Sequence, residues 1–244
     1  MVKYKHTLNV HNLSCAKRLS EIIFKEIKPN SILDVGCGTG NFLKEFQSHG
    51  IVDFQGVDGY HLDLNSVYID PKKVFQTDLE KPLNLNRKFD LVLCLEVAEH
   101  LSKDSANIFV ESLAKHADTI VFSAAIPFQG GQNHINEQWQ SYWIDLFSKH
   151  GFTVDFSIRN KIWNEPNIFW WYKQNILTFV RSKNEKINEV VLDNVQPNVV
   201  HPELFLKLAN QLENTLTGKI GLKVSFKIFL NSMYQKIKFT KLNK

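Results

Sequence analysis

The segment SILDVGCGTGNF, residues 31–42, constrains the fold more than any other stretch of the chain. An apolar run of strand length ends in three closely spaced glycines, Gly36, Gly38 and Gly40. Phe42, Leu43 and Phe46 then recur at helical spacing. A buried strand, a tight turn and a helix in that order open a βα unit, the building block of a parallel sheet. The turn matches neither common phosphate cradle. A dinucleotide fingerprint needs a further glycine at 41 or 43, where Asn41 and Leu43 stand, and no G-K-[ST] triplet occurs anywhere.

The same alternation continues down the chain. A helix fits 14–27, capped by Ser14 and stopped by Pro29, and another fits 40–48 after the glycine turn. Strands fit 31–35, 52–57, 73–76 and 89–95, a helix fits 104–116, and a strand fits 119–124. The run FDLVLCL at 89–95 barely alternates, as expected of a parallel strand buried on both faces. Cys94 inside it reads as packing. Further on, a helix over 138–150 closes at Gly151, strands fit 152–158 and 176–180, and a helix fits 202–216. The expected fold is α/β: a doubly wound, mostly parallel seven-stranded sheet over residues 1–182. A helical, basic C-terminal extension follows over 183–244.

Composition narrows the function classes. Three cysteines, Cys15, Cys37 and Cys94, show no metal spacing, and their odd number argues against a disulfide scaffold. With no signal-peptide pattern at the start and no long apolar run, a cytoplasmic location is expected. The net charge is +4, but residues 219–244 hold seven lysines and no acid, so 1–218 carries 22 basic and 25 acidic residues. A slightly acidic body does not suggest a nucleic-acid groove.

Three carboxylates fall at strand ends. Asp34 closes the first strand beside the glycine turn, Asp58 ends the second, and Asp78 follows the third in QTDLEKPL. In an open parallel sheet, ligands bind beyond the carboxyl ends of the strands. There Asp58 can accept both hydroxyls of a ribose, Asp34 can meet a cationic group, and Asp78 can accept from an adenine amino group.

These residues carry a resemblance. LDVGCGTGNFL, GVDG at 56–59, DLEKPL at 78–83 and FDLVLCLEVAEHL at 89–101 together resemble the class I S-adenosylmethionine-dependent methyltransferases, over roughly 30–182. The resemblance implies S-adenosyl-L-methionine as cofactor. It implies Asp34, Gly36, Cys37, Gly38, Asp58, Gly59, Asp78, Leu79 and Leu95 as the residues that bind it. A sulfonium ligand without a pyrophosphate accounts for the missing dinucleotide glycine. Two signatures of base methylation, [DNS]-P-P-[YFW] and a Pro-Cys nucleophile pair, are absent.

The stretch CLEVAEHL adds Glu96, Glu99 and His100, and GGQNHINEQW adds His134. On a helical turn, positions i, i+3 and i+4 share one face. Two carboxylates and an imidazole there form half of an octahedral site for Mg2+ or another divalent metal, with His134 as a fourth ligand. The spacing resembles ubiquinone-pathway O-methyltransferases and small-RNA terminal 2′-O-methyltransferases, where such a set is associated with metal. The same four residues also suit catalysis without metal, with His100 or His134 as general base. A purely structural turn is the third reading.

The expected reaction is methyl transfer to the oxygen of a sugar or small-molecule hydroxyl. N-methylation, RNA 2′-O-methylation and a non-catalytic methyltransferase-like scaffold are the competing readings. The connection KIWNEPNIFWWYKQN reads as packing or as a lid that stacks on an acceptor ring, with at least one aromatic turned away from the core. The expected partner is a small-molecule or glycan acceptor rather than a nucleic acid. Over 219–239, Leu222, Phe226, Phe229, Leu230, Met233 and Ile237 share a helical stripe flanked by lysines, which suits a homodimer or a peripheral membrane contact.

Overall fold

The computed structural model describes residues 13–182, 196–217, 219 and 221–242. Expectations that fall on 1–12 and 183–195, or on the side chains of 234–244, lie outside the described residues. Helix α1 (Leu13–Ile27) buries Cys15, Leu19, Ile22 and Ile23 on one face. The first βα unit follows as β1 (Ser31–Val35) and α2 (Asn41–Ser48). Then come β2 (Asp53–Asp58), β3 (Val74–Gln76), β4 (Leu91–Leu95), α3 (Ala106–His116) and β5 (Thr119–Ser123). The last part of the sheet is built from α4 (Gln140–Lys149), β6 (Phe152–Asp155), α5 (Ser157–Ile162), α6 (Trp170–Asn175) and β7 (Leu177–Arg181).

The seven strands lie in the order β3-β2-β1-β4-β5-β7-β6. β1 to β5 pair in parallel, and β7 runs antiparallel to both β5 and β6. Two cores explain the continuous apolar runs. Val92 and Cys94 of β4 face a core shared with Phe109 and Leu113 of α3 and Trp143 and Phe147 of α4. Leu91, Leu93 and Leu95 face the opposite core, shared with Leu19 and Ile23 of α1, Leu43 and Phe46 of α2 and Ile162 of α5. Both sets of strand residues are buried, so no polar alternation survives in the sequence. Each fully buried leucine contributes roughly 1.5–3 kcal/mol through the water it leaves.

One expectation changes. The strand expected over 152–158 stops at Asp155, because the Asp155 carboxylate accepts from the Ser157 amide at 2.6 Å and turns the chain into α5. The aromatics of 163–172 are buried or half-buried, with none exposed. Phe169 and Trp171 stack at 4.2 Å against the second core, and Tyr172 is buried within it. Phe169, Trp171 and Tyr172 thus pack on the sheet, while Trp163 and Trp170 are half-buried and belong to neither core.

The chain divides into two compact units between Val199 and Val200, beyond the boundary expected at 182/183. Three bonds hold 197–199 to the first unit: Arg159 donates to the Pro197 carbonyl (3.1 Å), the Ser141 amide to Asn198 Oδ1 (2.9 Å), and Gln140 to the Val199 carbonyl (3.0 Å). The second unit contains α7 (Pro202–Leu216) and α8 (Leu222–Leu242). No helix among the described residues is long and apolar enough to cross a membrane.

Candidate active site

Because β1 to β5 are parallel, the loops that follow them meet along one edge of the sheet. β7 runs the other way, so Gln174 and Asn175, just before it, arrive at that same edge.

The glycine turn is tied to β2 by its backbone. The amides of Gly36 and Cys37 donate to the Val57 carbonyl at 2.7 and 3.1 Å. The Asp58 carboxylate accepts from the Gly38 amide at 2.6 Å and from the Gly59 amide at 2.7 Å. Asp58 therefore braces two loops, and two of its four lone-pair sites stay available for a ribose. Gly36 is at φ +80, and a Cβ there would lie 2.2 Å from a Val97 methyl. Only glycine admits both that backbone and that contact. Cys37 turns its thiol inward against Gly56, leaving only its backbone on the turn.

Asp34 is 3% exposed, and its Oδ2 has no hydrogen-bond partner. Burial first, and the Asp58 charge second, push its pKa up to about 8. An orphaned buried carboxylate oxygen at a glycine turn fits a ligand that brings a positive charge, as S-adenosyl-L-methionine does. Asp78 lies in the loop after β3, its Oδ1 accepting from the Glu80 amide at 3.0 Å. That loop is joined to β2 by the Thr77 amide, which donates to the Asp58 carbonyl at 2.9 Å. Leu79 packs partly buried on the first core, and Leu95 ends β4 within the second.

The acidic stretch does not form one helical turn. Glu96 adopts φ +57, and only Ala98–His100 form a short 3-10 turn. The shared face expected of Glu96, Glu99 and His100 is therefore broken at its first member. The structure brings Glu99, His100 and His134 together, with one ligand atom from each within 4.8 Å of the others. Glu96 stands outside that group. Its carboxylate accepts from Asn175 Nδ2 at 3.0 and 3.3 Å and from Gln129 Nε2 at 3.3 Å. Its amide donates to the Ser123 carbonyl and hydroxyl at 2.9 and 3.1 Å.

Glu99 is fully buried, and neither of its oxygens has a hydrogen-bond partner. Burial, then the neighbouring Glu96 charge, raise its pKa well above the carboxylate range. Burial likewise raises that of Glu96, against the opposing hydrogen bonds of Asn175 and Ser123. The two imidazoles meet edge to face, 5.0 Å between ring centres. His100 Nδ1 donates to the Asn133 carbonyl at 3.4 Å, and His134 Nδ1 to the Glu137 carboxylate at 3.0 Å. Both bonds place the lone pair on Nε2, as a ligating imidazole requires. Burial, followed by His134 and His61, lowers the His100 pKa to about 4.

Sequence reasoning passed over Gln129, Gln174, Asn175 and Gly131. The amides form a buried chain in which Gln174 and Asn175 both donate to Gln129 Oε1 at 3.0 Å. Their signal was the Q-N pair directly before an apolar strand in WYKQNILTFV. Gly131 leaves room for His134: a Cβ there would lie 2.2 Å from its Nε2.

Comparison with known proteins agrees with this fold. The methyltransferase-domain family matches residues 4–155. A ubiquinone biosynthesis O-methyltransferase of Rickettsia typhi is 26% identical over 117 residues, which are 46% of each chain. The match thus spans about half the length of that relative. The sugar N-methyltransferase KedS8 from Streptoalloteichus superposes with a TM-score of 0.55 at 14% identity, covering 75% of this chain and 96% of its own. The magnesium protoporphyrin IX methyltransferase of Synechocystis, solved with bound S-adenosylmethionine, gives 0.51 at 20%, covering 72% and 82%. At these identities the two structures speak for the fold. The family match covers more than half of the chain and ends where β6 does, so this chain belongs to the methyltransferase-domain family, the class I S-adenosylmethionine-dependent methyltransferases.

Proposed function

We propose that this methyltransferase transfers its methyl group to the oxygen of a hydroxyl on a sugar or small molecule. The observation that carries this reading is the convergence of Glu99, His100 and His134. They sit next to the glycine turn through the contact of Val97 with Gly36. One carboxylate and two imidazoles are a donor set suited to a divalent first-row transition ion such as Mn2+ or Fe2+ more than to Mg2+, which prefers oxygen ligands. Such an ion, when bound, lowers the pKa of a chelating hydroxyl and orients it.

The chain's own residues supply the rest. Asp34, Asp58 and the turn hold the cofactor, Glu137 and the Asn133 carbonyl aim the two imidazoles, and Asn175 and Gln129 fix the Glu96 carboxylate beside Glu99. With a pKa of about 4, His100 is poorly matched to general-base work near neutrality and better matched to ligation. Tyr60, Phe128 and Ile135 stand exposed on the loops after β2 and β5, where an acceptor ring or sugar face can stack. The O-methyltransferase name of the curated relative supports oxygen. The sugar N-methyltransferase among similar structures supports a sugar and keeps nitrogen as the second reading.

The test is a panel of sugar, catechol and amine acceptors, with product mass and linkage determined. An oxygen-linked product, lost on chelation and restored by a divalent ion such as Mn2+, is expected. A nitrogen-linked product, or full turnover after exhaustive chelation, overturns the assignment.

A further inference from the structure

The second unit carries two helices with the same exposed pattern. On α7, Phe205, Leu212 and Leu216 recur at i, i+7 and i+11, and all three are exposed. On α8, Leu222, Phe226, Phe229, Leu230 and Met233 recur at i, i+4, i+7, i+8 and i+11. These too are exposed, Leu222 at 91% and Phe226 at 62%. Positions so spaced lie along one face of a helix. Lys223 and Lys227 are exposed beside it. Residues 200–244 hold eight lysines against two glutamates, a net of +6, and no acid follows Glu213.

We infer that α7 and α8 lie on an anionic lipid surface, with these apolar faces at the acyl boundary and exposed lysines such as Lys223 and Lys227 among the headgroups. Charge selects lipid over a second copy of the chain. Pairing two such segments brings +6 against +6, whereas an anionic surface neutralises it. Side-chain type selects lipid over RNA. Phosphates reward lysines, and bases reward aromatic platforms. The aliphatic Leu222, Leu230 and Met233 on that face gain from an apolar surface and nothing from phosphates. The contact is peripheral, since no described helix can span. This inference stands independently of the acceptor reading.

The experiment is co-sedimentation of the full chain with vesicles of phosphatidylcholine alone or with about one-third phosphatidylserine. Two variants are compared, Phe226→Ser/Phe229→Ser and Lys223→Glu/Lys227→Glu, both at exposed positions, with circular dichroism confirming unchanged helix content. The wild-type chain is expected to pellet only with the anionic vesicles, and each variant to lower partitioning at least about tenfold. Three results would overturn the inference: no pelleting with anionic vesicles, pelleting that the phenylalanine variant leaves intact, or a solution dimer that dissociates in that variant without vesicle binding.

Discussion

Asp34 shows how one buried side chain ties stability to ligand binding. In the folded protein it keeps its proton up to about pH 8, while its ordinary value is 3.8. Between those values folding takes up a proton, so stability falls as pH rises, with a slope no steeper than about 1.4 kcal/mol per pH unit. Asp34→Asn removes this dependence. Thermal unfolding without cofactor should show the variant more stable than wild type. The gap should widen from about pH 4 to pH 8 and stay constant above. Calorimetry should show the opposite for S-adenosyl-L-methionine, with affinity reduced at least several-fold if the orphaned Asp34 oxygen is the partner of its positive charge. An unchanged affinity removes Asp34 from the cofactor site.

At the scale of elements, the loop after β5 is shaped around His134. A Cβ on Gly131 would collide with its ring, whereas a Cβ on Gly130 would meet nothing within 4 Å. Gly131→Ala should therefore displace the imidazole and weaken Mn2+ binding, measured by paramagnetic resonance, at least about tenfold. Gly130→Ala, at φ +68, carries only backbone strain of roughly 1 kcal/mol and should retain the metal. Equal Mn2+ binding in both variants removes His134 from the ligand set. The loop after β4 shows where sequence spacing stops informing. E-x-x-E-H states the chemistry, and helical periodicity puts all three groups on one face. The actual backbone leaves the helical region at Glu96, where Ser123 holds the amide and Asn175 the carboxylate. Asn175 lies 79 positions away, and no local pattern encodes that partnership.

Across the whole molecule, the methyltransferase unit extends to Val199 because three carbonyl or amide groups of 197–199 bond to α4 and α5. A chain ending at 195 should unfold at lower denaturant than one ending at 199, by roughly 2–4 kcal/mol. Three bonds are lost, and Arg159, 5% exposed, loses its carbonyl partner. Equal midpoints would show that the strap contributes nothing. The residue pattern was enough to fix the sheet and its cofactor edge. Apolar runs, glycines and strand-end acids are local signals, and the right-handed βα connection leaves few ways to arrange them. It likewise named Glu99, His100 and His134. Which groups converge there depended on contacts between distant parts of the chain. Reversing β7 brings Gln174 and Asn175 to the active edge, the left-handed backbone at Glu96 breaks the helical turn and ties its carboxylate to Asn175, and burial sets the proton affinities of Asp34, Glu99 and His100. Those effects depend on neighbours distant in the chain and on the exclusion of water, neither of which a local pattern of residues records.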